Sequence, residues 1–376
     1  MQRRTFLARA GSGALATVPL AAPAPSSAQS RTELLLGQSA VLSGPLGEQV
    51  RLFNEGARLV FDQVNGTGGV MGKRLKFVSI DDQLQPDKAQ AAVRELLRQK
   101  AVALFGCVGT PTSTAIEPLL RESGVPAIGG YAVGDSARLR LRGAGYFVRA
   151  GYGREAEAIA QHVATVGLRR VAVAHLANPG GEEALTLLRQ ALAARKLELV
   201  VSAAVTTDGL NVSEAARKIG ALKPDAVVMF LAGPLAAGLI GGLGALGLQP
   251  SYYGLSIVSG EQVAGKLGAR SRGLVLSQVV PSPWQPSEPA ALDYRRLAQA
   301  AKIGVGYASF EGYLTARVMV EALYRCSTDL TASRLHTVMT HMRWRHATLD
   351  LDFTQDGTGS RFVELVQLTE QGRYLR

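Results

Sequence analysis

From residue 33 onward, short apolar runs alternate with segments of helical spacing, and the whole alternation occurs twice. The runs of strand length are Glu33–Gly37, Leu75–Ile80, Val102–Phe105, Val171–Ala174, Leu197–Ala203, Ala226–Leu231 and Leu274–Ser277. Strands that are apolar throughout are covered on both faces, and intervening helices supply that cover. The pattern therefore predicts an α/β fold with parallel sheets. The two stretches, roughly 33–145 and 155–280, are about equal in size and predict two similar lobes. A length of 376 residues agrees with two domains.

Local signals refine this reading. Phe53, Ala57, Val60 and Val64 step by four, three and four, which puts them on one helix face. Pro86 marks a helix start, with the segment running to Gln99. Pro118 limits how early a regular helix can begin after the hydroxyl-rich stretch before it. Asn211 followed by Glu214 reads as a capping box, which outweighs Asn211-Val-Ser213 as a glycosylation acceptor. Ala226–Gly260 carries no charge, but Pro234 and the six glycines from Gly233 to Gly247 divide it. It reads as a strand and a buried helix with Pro234 as first residue, not as a membrane span. Pro281-Ser-Pro-Trp-Gln-Pro286 breaks the alternation, and helical segments follow near 288–302, 308–325 and 331–341. The tail reads as strands Thr348–Phe353 and Phe362–Leu368 joined by a turn at Gln355–Gly359.

Composition and motifs exclude several functions. Hydrophobic residues make up 47% and charged residues 19%, enough for a large core. Cys107 and Cys326, the only cysteines, allow neither a disulfide scaffold nor a cysteine-built metal cluster, although the two could pair if the chain is exported. The opening Arg3-Arg4-Thr-Phe6-Leu7, an alanine-rich stretch and the small residues Ser26 and Ala28 predict a twin-arginine-type signal peptide over 1–28, the general secretory route being the alternative. Its removal takes Arg3, Arg4 and Arg9, lowering the formal charge from +11 to +8. The densest basic cluster, Arg138-Leu-Arg140-Leu-Arg142, has no interleaved aromatics, which argues against a nucleic-acid surface. There is no Gly-x-Ser-x-Gly elbow and no Walker lysine. Gly242-Leu-Gly244-Ala-Leu-Gly247 lies about ten residues past its strand, too far to cradle a pyrophosphate. His336, His341 and His346, spaced by five, split across the faces of a helix and make no metal site. Asp81-Asp82 reads as a strand-end loop, and no cofactor or metal is expected.

An ordered set of motifs carries a resemblance. It comprises Ser43-Gly44-Pro45, Asn65-Gly-Thr-Gly68-Gly69-Val70-Met-Gly72-Lys73, Asp81-Asp82 with Pro86, Val125-Pro126, Phe147-Val-Arg149 and Glu311-Gly312-Tyr313. Over about residues 33–370 the chain resembles the periplasmic leucine/isoleucine/valine-binding proteins, type I solute receptors of ABC importers. The resemblance implies two Rossmann-like lobes joined by a three-crossing hinge, lobe 1 over 31–149 plus 283–341 and lobe 2 over 150–282 plus 342–376. It implies a periplasmic monomer without catalysis that closes on a small-molecule ligand and delivers it to a membrane permease.

Ligands of parallel α/β sheets lie beyond the carboxyl ends of the strands. Gly106, Gly109 and the hydroxyls of Thr110, Thr112, Ser113 and Thr114 follow one such end and open a helix, whose free N–H groups suit a carboxylate. By resemblance Thr110 holds the ligand carboxylate, with Gly109 beside it. The loop Gly129–Gly134 offers Tyr131, Ala132 and Val133, and Gln49 stands where the family places a lid. Ser256 and Tyr307 complete the expected ligand set, and His175 reads as a core histidine at a strand end. Ser256 replaces the acid that holds the ammonium in amino-acid receptors of the family, and Gly180 stands where a tyrosine is expected. The expected ligand is therefore a carboxylate without an α-ammonium, or a small amide, unless Glu261 substitutes. A ligand sensor of the same fold and a secreted α/β enzyme are the alternatives.

Overall fold

The computed structural model describes residues 33–346, 348–369 and 372–375. The expected signal peptide lies outside the described residues. The first sheet contains β1 (Glu33–Ala40), β2 (Arg74–Asp81), β3 (Ala103–Phe105), β4 (Ala127–Ile128) and β5 (Gly145–Tyr146). Its helices are α1 (Gly44–Gly66), α2 (Pro86–Arg98), α3 (Thr110–Ser123) and α4 (Asp135–Arg140). The second sheet contains β6 (Arg170–Leu176), β7 (Glu198–Val205), β8 (Ala226–Phe230), β9 (Ser251–Gly254) and β10 (Val275–Gln278). Among these run α5 (Tyr152–Thr165), α6 (Pro179–Ala194), α7 (Val212–Gly220), α8 (Gly233–Ala245) and α9 (Gly260–Leu267). Then come α10 (Pro289–Ala301), α11 (Tyr307–Arg325), α12 (Ala332–His341), β11 (Arg343–His346), β12 (Leu349–Asp352), β13 (Glu364–Leu368) and β14 (Tyr374–Leu375).

The strand order is β2-β1-β3-β4-β5 in the first sheet. The second sheet runs β7-β6-β8-β9-β10 and continues through the antiparallel β13 and β14. The two parallel portions thus share one order, second-first-third-fourth-fifth, which is the doubly wound arrangement predicted from the repeated pattern. The chain enters the second sheet after β5 and leaves it after β10. It then packs α10 and α11 on α1, and returns to the second sheet at β13.

Local readings hold where burial dictates them. Phe53, Ala57, Val60 and Val64 are all buried on α1. Pro86 and Pro234 sit in the first turns of α2 and α8, where a missing N–H costs nothing. The uncharged 226–260 stretch resolves into β8, α8 and β9. No helix among the described residues is long and apolar enough to cross a membrane. Helices α1 and α11 approach closely because Gly56 faces the Ser309 backbone and Gly312 faces the Phe53 carbonyl.

Four expectations are corrected. Helix α3 begins at Thr110 with Pro118 inside it, and Pro111 rather than Pro118 marks its first turn. Asn211 precedes α7 but its side chain makes no cap; it turns back to accept from Thr206 N and donate to Ala204 O. The tail strands do not form a hairpin: β12 pairs with β11 and β13 pairs with β10, because the turn between them lies against Phe147 instead. His346 sits on β11, not on the helix that holds His336 and His341. Cys107 and Cys326 are both buried and free, so they do not pair. Burial pushes the Cys107 thiol up to about 12 and the Cys326 thiol up to about 11.

Candidate functional site

The carboxyl ends of both sheets face one cleft. A chamber of about 30 Å³ there is lined by Val108, Gly109 and Thr110 after β3, Leu84 after β2, and Tyr131 and Ala132 after β4. From the second sheet come Leu176 at the end of β6, Phe230 at the end of β8, and Gly180 on α6. None of its lining residues is charged. It leads to an outer vestibule of about 540 Å³, which shares Leu46, Leu84, Pro111, Leu176 and Asn178 with it.

The chamber floor is built by α3. Gly109 precedes the helix at φ 94°, a conformation that favours glycine, and its N–H donates to Tyr131 O at 3.0 Å. No hydroxyl caps the helix. Thr112 Oγ1 donates to Val108 O, Thr114 Oγ1 donates to Thr110 O at 2.9 Å, and Thr110 Oγ1 accepts from Gly134 N at 2.9 Å. The amides of Thr110 and Thr112, at the head of the helix, have no carbonyl of the preceding turn to bond. They lie at the positive end of the helix, as an anion requires. Tyr131 forms one wall. Its hydroxyl is buried and meets no hydrogen-bond partner among the described residues, and burial raises its pKa. A buried hydroxyl without a partner costs free energy, which a ligand acceptor or donor would recover.

Leu84 separates chamber from vestibule. Gln83 and Leu84 are consecutive non-glycine residues in the left-handed region, at φ 53° and 59°. The carboxylates before them hold the turn: Gln83 N donates to Asp81 Oδ1 at 3.0 Å and Leu84 N to Asp82 Oδ1 at 2.8 Å. Asp82 is itself buried and accepts from Ser39 Oγ at 2.6 Å. Burial raises its pKa.

Beneath the chamber lies a buried ionic cluster. Arg149 is 2% exposed and sits 5.1 Å from the centre of the Tyr131 ring. Its guanidinium reaches Glu155 Oε1 at 3.3 Å, Glu311 Oε1 at 3.2 Å and the Ser256 hydroxyl. Glu155 also accepts from Ser256 N and from Ser277 Oγ, each at 2.7 Å. Burial alone would lower the Arg149 pKa, but Glu311 and Glu155 hold it above its ordinary value. Burial raises the pKa of Glu311, with Arg149 opposing. The cluster joins α11, α5 and the loop after β9 through the first passage between the sheets.

The two sides of the cleft also touch directly. Glu183 on α6 accepts from Ser136 N at 2.6 Å and Ser136 Oγ at 2.7 Å, so a carboxylate of one side caps α4 of the other. Gln49 Nε2 donates to Ser256 O at 3.3 Å.

Of the residues singled out from the sequence, Gly109, Thr110, Tyr131 and Ala132 line the chamber. The structure places the others elsewhere. Val133 is fully buried in the core cluster that also holds residues of α2 and α3. Gln49 and Ser256 meet across the cleft outside the chamber, because Ser256 is drawn to Arg149. Tyr307 packs edge-on to Trp284 and Tyr374. His175 is buried beside Leu176 O and Glu182 and does not line the chamber. Glu261 bonds Ser259 Oγ and does not line it either. Leu46, Leu84, Tyr152, Leu176, Asn178, Phe230 and Ile257 line it without having been singled out. Leu176 and Phe230 were within reach, since each ends an apolar strand of the second lobe.

The periplasmic binding protein family's sequence profile matches residues 34–373. A Leu/Ile/Val-binding protein homolog 3 from Brucella melitensis is 25% identical over 165 residues, which are 43% of this chain and 44% of that relative, so the match spans under half of the relative's length. A substrate-binding periplasmic protein from Ralstonia solanacearum has 26% identity and a TM-score of 0.86, over 91% of this chain and 99% of that one. A branched chain amino acid ABC transporter from Thermus thermophilus, solved with bound valine, is 16% identical and shares the fold, with a TM-score of 0.82 over 92% of this chain and 95% of that one.

Proposed function

The chain belongs to the periplasmic binding protein family, and from that premise we propose that it is the exported receptor of an ABC importer, capturing a small organic carboxylate without an α-ammonium. Residues 1–28 act as the signal peptide. The lobes are 31–149 plus 283–341 and 150–282 plus 342–376, and they close as rigid bodies on the ligand and then engage a membrane permease. Catalysis plays no part in this reading.

The observation that carries the ligand class is the chamber lining: a helix N-terminus at Thr110, a partnerless Tyr131 hydroxyl, and no charged residue on any side. The carboxylate binds the amides and hydroxyl at the head of α3, and the apolar tail lies among Leu46, Leu84, Tyr152 and Phe230. A buried ammonium there would have no counter-charge, a penalty of several kcal/mol. The carboxylates nearby are already engaged, Glu155 and Glu311 by Arg149 and Glu183 by Ser136. A chamber of about 30 Å³ has room for a water or two. Ligand therefore enters with the lobes further apart, and closure follows binding.

The names of the relatives favour a second reading, a branched-chain amino acid. Thermal shift with 3-methylbutanoate, 4-methylpentanoate and benzoate against valine and leucine separates the two. The acids raise Tm and the amino acids do not, and Thr110→Val removes the shift. A shift with leucine and none with the acids refutes the ligand class while leaving the receptor function standing.

A further inference from the structure

Beside the cleft but separate from the chamber, a second cavity of about 340 Å³ gathers Arg138, Arg142, Arg154 and Arg361 against only two acids, Asp135 and Asp356. It shares no lining residue with the chamber or the vestibule. We propose that this cavity is a binding site for a small soluble dianion of the phosphate type.

Each charge around it can be followed. Arg138 is buried, and its three nitrogens donate to the carbonyls of Val133, Arg149 and Ala150 while its plane lies 4.8 Å from the centre of the Phe147 ring. It is thus a fixed cation held by carbonyls and an aromatic face, with Asp135 and Glu155 acting on it from a distance and no carboxylate in ion-pair contact among the described residues. Arg142 donates through Nη2 to the Gln355 carbonyl at 2.8 Å, which leaves its charge uncompensated. Arg361 has a loose pairing with Asp356 at 3.6 Å. Asp135 is spent on the first turn of α5, accepting from Tyr152 N and Gly153 N at 3.0 Å each. Arg154 has no hydrogen-bond or ion-pair partner among the described residues. Four guanidinium groups against two carboxylates leave a surplus of two positive charges, which sets the charge of the occupant. Guanidinium forks match the oxygens of phosphate and carboxylate in both geometry and charge.

The walls come from three segments: α4, the start of α5, and the loop 356–361. The last two belong to passages of the chain between the two sheets, and they run side by side. Phe147 N donates to Gly357 O at 2.7 Å, Gly359 N to Phe147 O at 2.7 Å, and Ser360 N to Val148 O at 3.1 Å. A dianion bound to Arg142 and Arg154 together would tie α4 to that pair of passages.

Titration calorimetry with inorganic phosphate at low ionic strength tests the proposal on the wild type, Arg154→Gln, the Arg142→Gln/Arg154→Gln double variant and Thr110→Val. The expected result is one saturable site in the wild type. Affinity falls several-fold in Arg154→Gln, more than about tenfold in the double variant, and not at all in Thr110→Val. Arg154 is exposed and without partners, so its single variant folds and keeps the test decisive if the double variant does not. No saturable binding to the wild type, equal affinity in Arg154→Gln, or loss in Thr110→Val overturns the proposal, the last by moving the anion to the cleft. None of these outcomes depends on the ligand assigned to the chamber.

Discussion

Replacing Arg149 with methionine keeps an unbranched stem, two atoms shorter, and removes the one cation in contact with Glu155 and Glu311 among the described residues. Both carboxylates are then buried with no cation in contact, since Arg138 is held by the carbonyls of Val133, Arg149 and Ala150 and acts on Glu311 only from a distance. Breaking a buried pair by deleting one partner costs about 3–5 kcal/mol. With unfolding entropy near 2.1 cal/mol/K per residue, roughly 340 folded residues give ~0.7 kcal/mol/K, so Tm falls by ~4–7 °C at neutral pH. The sign of the pH dependence follows from Glu311, whose pKa burial raises while Arg149 opposes the rise. A carboxyl raised in the native state favours folding below its ordinary pKa, and that contribution is lost as pH climbs through the raised value. Without Arg149 the rise is larger. The deficit of Arg149→Met against the wild type is therefore smallest at acid pH, near the ordinary carboxylate range, and grows as pH rises through the raised value. Differential scanning calorimetry of both proteins over that span of pH reads it directly. A variant as stable as the wild type at neutral pH, or a deficit that does not change with pH, refutes the account of the cluster.

Two further outcomes follow from glycines at close approaches. A Cβ on Gly180 would lie 2.9 Å from Thr110 Oγ1 across the cleft. Gly180→Ala therefore disfavours the closed form by about 1–3 kcal/mol and weakens ligand binding roughly 5- to 150-fold, with little change in the melting point of the ligand-free protein; wild-type affinity in titration refutes this. A Cβ on Gly312 would fall on the Phe53 carbonyl. Gly312→Ala forces α1 and α11 apart and costs more than about 3 kcal/mol, read as a lower urea midpoint, and an unchanged midpoint refutes the close packing.

The residues that stood out in the sequence did so for different reasons, and their fates differ accordingly. Gly109 and Thr110 combined a strand end, a glycine and a helix start, a local signature, and they line the chamber. Ser256 was read through what it replaces, and the structure turns it to Arg149, a partner 107 residues away. Leu84 gave no warning because its place depends on the left-handed turn that Asp81 and Asp82 hold together. Asn211 had the right neighbours for a cap, yet Thr206 and Ala204 offered its amide a full set of bonds and won.

The double run of apolar strands and amphipathic helices determined, by period alone, an α/β fold in two similar halves, because burial on both faces of a sheet leaves its mark on every residue of the strand. The meeting of the halves was decided only in three dimensions. Arg149 sits between acids on α5 and α11, Glu183 caps a helix across the cleft, and Arg361 joins Arg138, Arg142 and Arg154 at one cavity. Glu311, Glu183 and Arg361 each come from a part of the chain far from the residues they meet. No local spacing encodes these contacts, and the energy of a buried charge is set by the partners that the completed fold brings to it.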